Sequence, residues 1–357
     1  MGGFVVCVCV CVVAFSWLTF VRIQFAHNFS DISNVENLLI AWREFLRDKR
    51  RKPDVEEFSL RLMNNIFDLH HDLIHHTYRH GPYQAFAIHD PKPRSIHKAT
   101  VRDRLLHHAV YRVLYPFFDR TFISDSYSCR VGKGTHKALA RFREFGYAVS
   151  KSDTRTVWVL KCDIRKFFAS IDQQILRAIL RRYIPDPHIL LLLNQVVSSF
   201  QSTGPGKGLP LGNLTSQLLV NVYMNEFDQF VKHQLKAKYY IRYADDFIIS
   251  SQDRDWLIGI LPRIRAFLLE RLRLELHPHK VSIETLASGV DFLGWVHFPD
   301  RRVLRTSTKH RMMRNLEGNE SENRLNSYLG LLRHGNTEKI RAEVMERYPI
   351  NEKPQVL

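Results

Sequence analysis

An acidic doublet set between two apolar runs is the feature that most restricts this chain. Residues 239–243 and 247–250 each read as a short strand, and Ala244-Asp245-Asp246 stands between them. The pattern predicts a tight hairpin with carboxylates at its tip. Upstream, residues 156–162 (TVWVLKC) have the character of a buried strand and end at another acid, Asp163. A carboxylate beside buried strands is costly unless something compensates it. Mg²⁺ compensates it well, because it takes a few carboxylates and completes its shell with water and phosphate oxygens. Two strand ends side by side would bring Asp163 and Asp245 to a pair of ions about 4 Å apart, the spacing that serves in-line displacement at phosphorus. Side chains alternate across a strand, so Asp245 is expected to be the firmer ligand of the doublet. Taken alone, Asp-Asp is also an ordinary turn.

The charge balance points toward a polyanionic partner. Lys plus Arg number 52 against 36 Asp plus Glu, a net charge of +16 spread along the chain. A broadly basic folded protein favours nucleic acid over membrane, although a merely soluble basic protein has the same balance. The cysteines form no C-x-x-C pair, which excludes a disulfide framework or a zinc site of the usual spacing and suits a reducing bacterial cytoplasm. Residues 4–20 are almost unbroken apolar sequence. They admit three readings: a short membrane span, a signal-like segment, or a start assigned too far upstream. A membrane partner is expected only if that run is real and retained.

Between these landmarks the chain alternates helix and strand patterns. Residues 35–78 read as helical, with Leu38, Leu39, Trp42, Phe45 and Leu46 on one face. His71 and His75 have the spacing of helical metal ligands but lack the glutamate of a zinc-protease helix, so a solvated basic face is expected. Residues 86–96 read as strand, Pro-punctuated turn and strand. Residues 103–115 read as a helix, as do 173–183 with Ser170 or Asp172 as N-cap, 215–232 after a Gly/Pro loop, and 263–271. Residues 291–296 read as one short strand, and 309–348 as basic helix. The expected fold class is α+β, an antiparallel sheet backed by helices.

The hairpin sequence Tyr240-Ile-Arg-Tyr-Ala-Asp-Asp-Phe247 resembles the Tyr-x-Asp-Asp signature of the reverse transcriptases. Other segments are similar to that family's motifs in the family's order. They include Leu160-Lys-Cys-Asp-Ile-Arg-Lys-Phe-Phe168, Gly208-Leu-Pro-Leu-Gly-Asn-Leu-Thr-Ser-Gln217, Leu276-His-Pro-His-Lys280 and Asp291-Phe-Leu-Gly-Trp295. Pro91-Lys-Pro-Arg94, Asp103-Arg104 and Ser126-Tyr-Ser-Cys-Arg130 look like the fingers. The resemblance implies a right-hand polymerase with fingers, palm and a short helical thumb. Its divisions are an apolar extension (1–27), a helical region (28–82), fingers and palm (83–300) and a basic thumb (301–357). It implies RNA-directed DNA polymerase activity with two Mg²⁺ ions, Mn²⁺ able to substitute. Template RNA, a DNA primer and deoxynucleoside triphosphates would be the partners.

Site roles follow from the same resemblance. Asp163, Asp245 and Asp246, with the carbonyl of Ile164, would hold metal, and Lys280 would donate a proton to pyrophosphate or contact phosphate. Lys92, Arg94 and Arg130 would meet the triphosphate. Phe168 would crowd a 2′-hydroxyl, with one of Phe167 and Phe168 serving only the core. Leu211, Gly212 and Gln217 would line the nucleotide site, and Phe292, Leu293 and Gly294 the primer grip. Pro210-Leu211-Gly212 replaces the Pro-Gln-Gly of many relatives. With Ser216-Gln217, and with Ser327-Tyr-Leu-Gly330 and Arg333-His-Gly-Asn336 in the thumb, it is similar to the diversity-generating retroelement enzymes. That likeness implies error-prone copying and a small basic accessory protein. A retron, antiphage or group II intron-like enzyme is the alternative, and a catalytically silent nucleic-acid-binding relative a further one. No maturase or endonuclease segment is read after the thumb.

Overall fold

A computed structural model describes residues 25–88, 93–318 and 321–348. The strands are β1 (Gln84–Ile88), β2 (Arg94–Lys98), β3 (Trp158–Ile164), β4 (Tyr240–Tyr243), β5 (Asp246–Ser251), β6 (Leu276–Thr285), β7 (Val290–Phe292), β8 (Trp295–His297) and β9 (Arg302–Leu304). They form three sheets: a β1–β2 hairpin, a four-stranded sheet in the order β4-β5-β3-β6, and a small β7-β8-β9 sheet. All pairings are antiparallel. The fold is α+β, as the interleaved patterns predict.

The four-stranded sheet is covered on both faces, and alternation sorts its side chains between two cores. Leu160, Cys162, Tyr240, Phe247 and Ile249 belong to the larger core with the helices Leu214–Gln229 and Arg254–Leu272. Val157, Val159, Ile241 and Ile248 belong to the other, with the helix Thr135–Val149 and the C-terminal helices. This two-sided burial explains why TVWVLKC reads as continuous apolar sequence. It also fixes register, since a slip of one residue would exchange the two cores.

Local signals set several element ends. Asp172, not Ser170, caps the helix Gln173–Arg181, accepting from the amides of Gln174 and Ile175. Residues 291–296 are not one strand but a hairpin, β7 and β8, turning at Leu293 (φ 51°) and Gly294 (φ 85°). Two consecutive positive φ values are what a two-residue hairpin loop demands. The helix Val101–Thr121 is longer than its pattern predicts and tolerates Pro116 in its interior. Among the described residues no helix is long and apolar enough to cross a membrane, and residues 4–20 lie outside them.

Buried histidines on the helix Val101–Thr121 are expected to make the fold acid-sensitive. His107 is 1% exposed and its Nδ1 has no partner. Burial, helped by His80, His108 and Arg104 against the opposing pull of Asp103, lowers its pKa to about 3. Burial beside Lys49 and Arg104 likewise brings His108 to about 4. Below about 6.5 the unfolded chain therefore binds protons that the folded chain refuses, so stability falls as pH drops from 6.5 toward these values. The expected loss is up to about 1.4 kcal/mol per pH unit for each histidine. Urea midpoints at pH 7.5 and 5.5 measure it. His107→Leu should show a smaller drop than the wild type; an equal drop would assign the sensitivity elsewhere.

Candidate active site

The ends of β3 and β5 bring the acidic residues together. The register sets Asp163 directly opposite Asp246, so both project from the same face of the sheet. Asp245 occupies the turn, which Ala244 opens in the left-handed region (φ 56°). The Asp245 carbonyl accepts from the amide of Ile164 at 3.3 Å, tying the turn to the end of β3. Lys280 on β6 reaches over and pairs with Asp163, Nζ to Oδ2 2.8 Å. Asp163 is 9% exposed.

These carboxylates repel one another in a poorly solvated place. Burial raises the Asp245 pKa, Asp163 raises it further, and Lys280 and Arg94 oppose the rise. Burial, then Asp245 and Asp163, push Asp246 up to about 7, against Lys161 and Lys280. A divalent cation is the natural remedy for such a cluster. Among the described residues no group of three or more His, Cys, Asp or Glu side chains is arranged to hold a metal ion by itself. The donor set does fit Mg²⁺ that draws part of its shell from substrate phosphates and water.

The Gly/Pro loop before the helix Leu214–Gln229 is clamped by the β1–β2 hairpin. The amide of His97 donates to the Leu211 carbonyl at 3.0 Å, and Asn213 Nδ2 donates to the His97 carbonyl at 2.9 Å. A Cβ on Gly212 (φ 100°) would lie 2.8 Å from Ile96 Cγ2, so both backbone shape and space require glycine there. Arg94 opens β2 and its charge reaches Asp245. Leu211 and Gln217 are half-buried on this loop and the helix that follows. The carbonyl of Phe168 accepts from the Leu209 amide at 2.9 Å. Phe167 is buried in the core, while Phe168 is half-buried, with ring centroids 5.5 Å apart. Lys92 lies outside the described residues.

Two further expected groups of residues make their hydrogen bonds and ring contacts with residues other than the carboxylates. Arg130 does not join them: its guanidinium donates to Asp119 and to the carbonyls of Ile123, Ser126 and Asp119. Those bonds hold a loop together and leave the charge committed internally. Phe292 is buried edge-on against Phe142, and Leu293 and Gly294 form the β7–β8 turn, where the Gly294 carbonyl accepts from Arg305.

The sequence reading missed the network behind the hairpin. Arg242 and Asp228 form a fully buried ion pair, with both side chains 0% exposed. Arg242 donates through Nε (2.8 Å) and Nη2 (2.7 Å) to Asp228, whose Oδ1 also accepts from Tyr240 at 2.7 Å. The same guanidinium donates to Ser126 Oγ, to Asn221 Oδ1 and to the carbonyl of Ala244 at 3.1 Å. It thereby connects the helix Leu214–Gln229, the loop at Ser126 and the residue preceding Asp245. The available signal was a lone arginine in an apolar strand and a lone aspartate on an apolar helix. Such charges are buried only with a partner.

Antiparallel strands, helices behind them and carboxylates at the central strand ends define a polymerase palm. The model of the family "Reverse transcriptase (RNA-dependent DNA polymerase)" matches residues 88–297, and the chain belongs to that family. Its relatives include the Escherichia coli protein YkfC, 24% identical over 65% of this chain and 70% of that protein. They also include the Lactococcus lactis group II intron-encoded protein LtrA, 25% identical over 61% of this chain. The chain spans about half of LtrA, 46% of its length. Among solved structures, a truncated apo telomerase from Candida tropicalis aligns with 66% of this chain and 57% of its own, at 11% identity and a TM-score of 0.46.

Proposed function

We propose that the chain copies an RNA template into DNA, extending a primer with deoxynucleoside triphosphates. The observation that carries this reading is the register that sets Asp163 against Asp246 beside Asp245, inside the span matched by the family. In this reading Asp163, Asp245 and the Ile164 carbonyl hold Mg²⁺, for which Mn²⁺ can substitute, and Asp246 is the third acidic group. The metal supplies charge for the attacking 3′-oxygen and the departing pyrophosphate. Lys280, held at the cluster by Asp163, is in position to contact that pyrophosphate or protonate it. In this reading Arg94 meets the triphosphate, the role that the sequence likeness also gives Lys92. Phe168 crowds a 2′-hydroxyl, and Phe292, Leu293 and Gly294 support the primer. The test is extension of a labelled DNA primer on an RNA template with Mg²⁺. Absence of template-dependent addition by well-folded protein would refute the reading.

The subtype we favour is the error-prone enzyme of a diversity-generating retroelement, working with a small basic accessory protein. Its support is Leu211 in the loop clamped by β2. An apolar side chain gives no hydrogen bonds where many relatives carry an amide, so wrong pairs are penalised less. Leu211→Gln is expected to lower misincorporation opposite template adenine severalfold, read by sequencing the cDNA. An unchanged error spectrum would remove this support. The similarity to LtrA favours a group II intron-like enzyme instead, and that reading expects accurate copying by the wild type.

A further inference from the structure

A second basic site lies where the C-terminal helices meet the small sheet. Arg143 comes from the helix Thr135–Val149, His297 from the end of β8 and Arg302 from the start of β9. Arg333, His334 and Asn336 come from the segment after the helix Glu322–Leu332. Together they line a cavity of about 220 Å³. Its walls are tied to one another. The Asn336 amide donates to the Arg302 carbonyl at 2.9 Å, and the Arg302 amide donates to Asn336 Oδ1 at 3.3 Å. His334 stacks on His136 with centroids 3.7 Å apart.

The cavity asks for two things. Arg143, Arg302 and Arg333 have no carboxylate partner among the described residues, and Arg143 depresses an Arg302 pKa that burial has already lowered. An anion would relieve that repulsion. His297 asks for the opposite. It is 3% exposed, packs edge-on against Phe142 at 4.9 Å, and the nearby Phe292 backbone favours a proton on the ring. Its Nε2 has no partner. Burial, then Arg302, holds its pKa down to about 4, so the ring is neutral, and with the proton on Nδ1 toward the Phe292 backbone Nε2 is an acceptor without a donor. A phosphodiester with a hydroxyl beside it satisfies both demands; a DNA backbone supplies only the anion. The volume is below the roughly 300–1,000 Å³ of pockets that take drug-sized molecules, which suits a sugar-phosphate unit without its base.

We propose that this cavity grips one ribose-phosphate unit of an RNA strand. The phosphate sits on Arg143, Arg302 and Arg333, and the 2′-hydroxyl donates to His297 Nε2. The site is separate from the carboxylate cluster and rests on the polymerase reading only for the choice of polymer.

Fluorescence anisotropy of the full chain with single-stranded RNA and DNA of one sequence tests it. His297→Phe keeps a ring against Phe142 and removes the acceptor. It is expected to lower RNA affinity about tenfold and leave DNA affinity unchanged. Arg143→Gln with Arg333→Gln alters two exposed side chains. It should weaken both polymers and reduce the slope of log affinity against log salt by up to about 0.7, the share of one phosphate. An unchanged RNA-to-DNA ratio in folded His297→Phe would overturn the proposal. If that variant does not fold, an unchanged salt slope in the arginine pair overturns it. Inorganic phosphate separates the other source of the anion. Should it raise the wild-type melting temperature but not that of the arginine pair, while RNA affinity stays equal in both, the cavity takes free phosphate and not RNA. Primer extension by the same variants keeps the two readings apart, since extension with wild-type binding sinks the cavity alone.

Discussion

Asp245→Asn is expected to reduce primer extension on an RNA template at least about a thousandfold, the effect of several kcal/mol of lost transition-state stabilisation. The same variant should melt at or above the wild-type temperature at pH 8 in the presence of a chelator. Both expectations come from one geometry. Asp163, Asp245 and Asp246 share a confined space where burial and mutual repulsion raise the pKa of Asp245 and Asp246. Removing one charge relieves the repulsion and so favours the folded state, while it deletes a ligand for the charge the reaction needs. Residues that serve chemistry at the expense of stability show this opposition of signs. Extension retained within tenfold of the wild type would refute the assignment of Asp245. A lower melting temperature would show that the carboxylate has a structural partner.

Arg242→Met is expected to destabilise the chain by about 3–5 kcal/mol, because it leaves Asp228 charged, buried and unpaired. That is a large share of the roughly 5–15 kcal/mol that holds a typical domain folded. Replacing the whole cluster with apolar groups tests what it is for. Arg242→Met with Asp228→Leu and Tyr240→Phe removes the ion pair together with the hydroxyl that would lose its acceptor. Such replacements are often neutral for stability. Stability should therefore return toward wild type. Extension should not, since the Ala244 carbonyl, Ser126 and Asn221 would still lack the guanidinium that ties the Asp245 turn to the Ser126 loop. Recovery of both properties would reduce the network to a packing role. A melting curve of Arg242→Met that overlays the wild type would deny it even that.

The parts of the fold that the sequence made legible are those where pattern and burial agree. β3 and the hairpin around Asp245 are apolar on both faces and flanked by turn residues, so their limits were readable to within a residue or two. The helix from Gln173 carries its own cap in Asp172. β6 was recognisable only as a motif, because His277, Pro278, His279 and Lys280 have no strand character. It forms because it is an edge strand beside β3, where a missing amide and an exposed face are tolerated. The placing of Lys280 on Asp163 depends on that edge pairing and so could not be read locally. Alternation was the ground for favouring Asp245, yet the register sets Asp246 opposite Asp163. Asp245 lies in the turn before β5, where strand alternation does not set its direction, and the charges of Asp163 and Lys280 still reach it. Arg130 is a cation in a suggestive motif whose internal bonds, to the Asp119 carboxylate and to nearby carbonyls, the motif does not announce.

Gly335 lies so close to Trp295 that a Cβ there would stand 2.1 Å from Cζ3 of the indole. Trp295 is itself 1% exposed and cannot retreat without opening the small sheet. The two positions therefore form a lock that mutation must pass in a set order. A smaller residue at 295 has to come first, through an intermediate with a cavity, before any side chain can enter at 335. In a library randomised at both sites, survivors should be strongly paired in size. A drifting lineage should keep Gly335 long after the surrounding surface has changed.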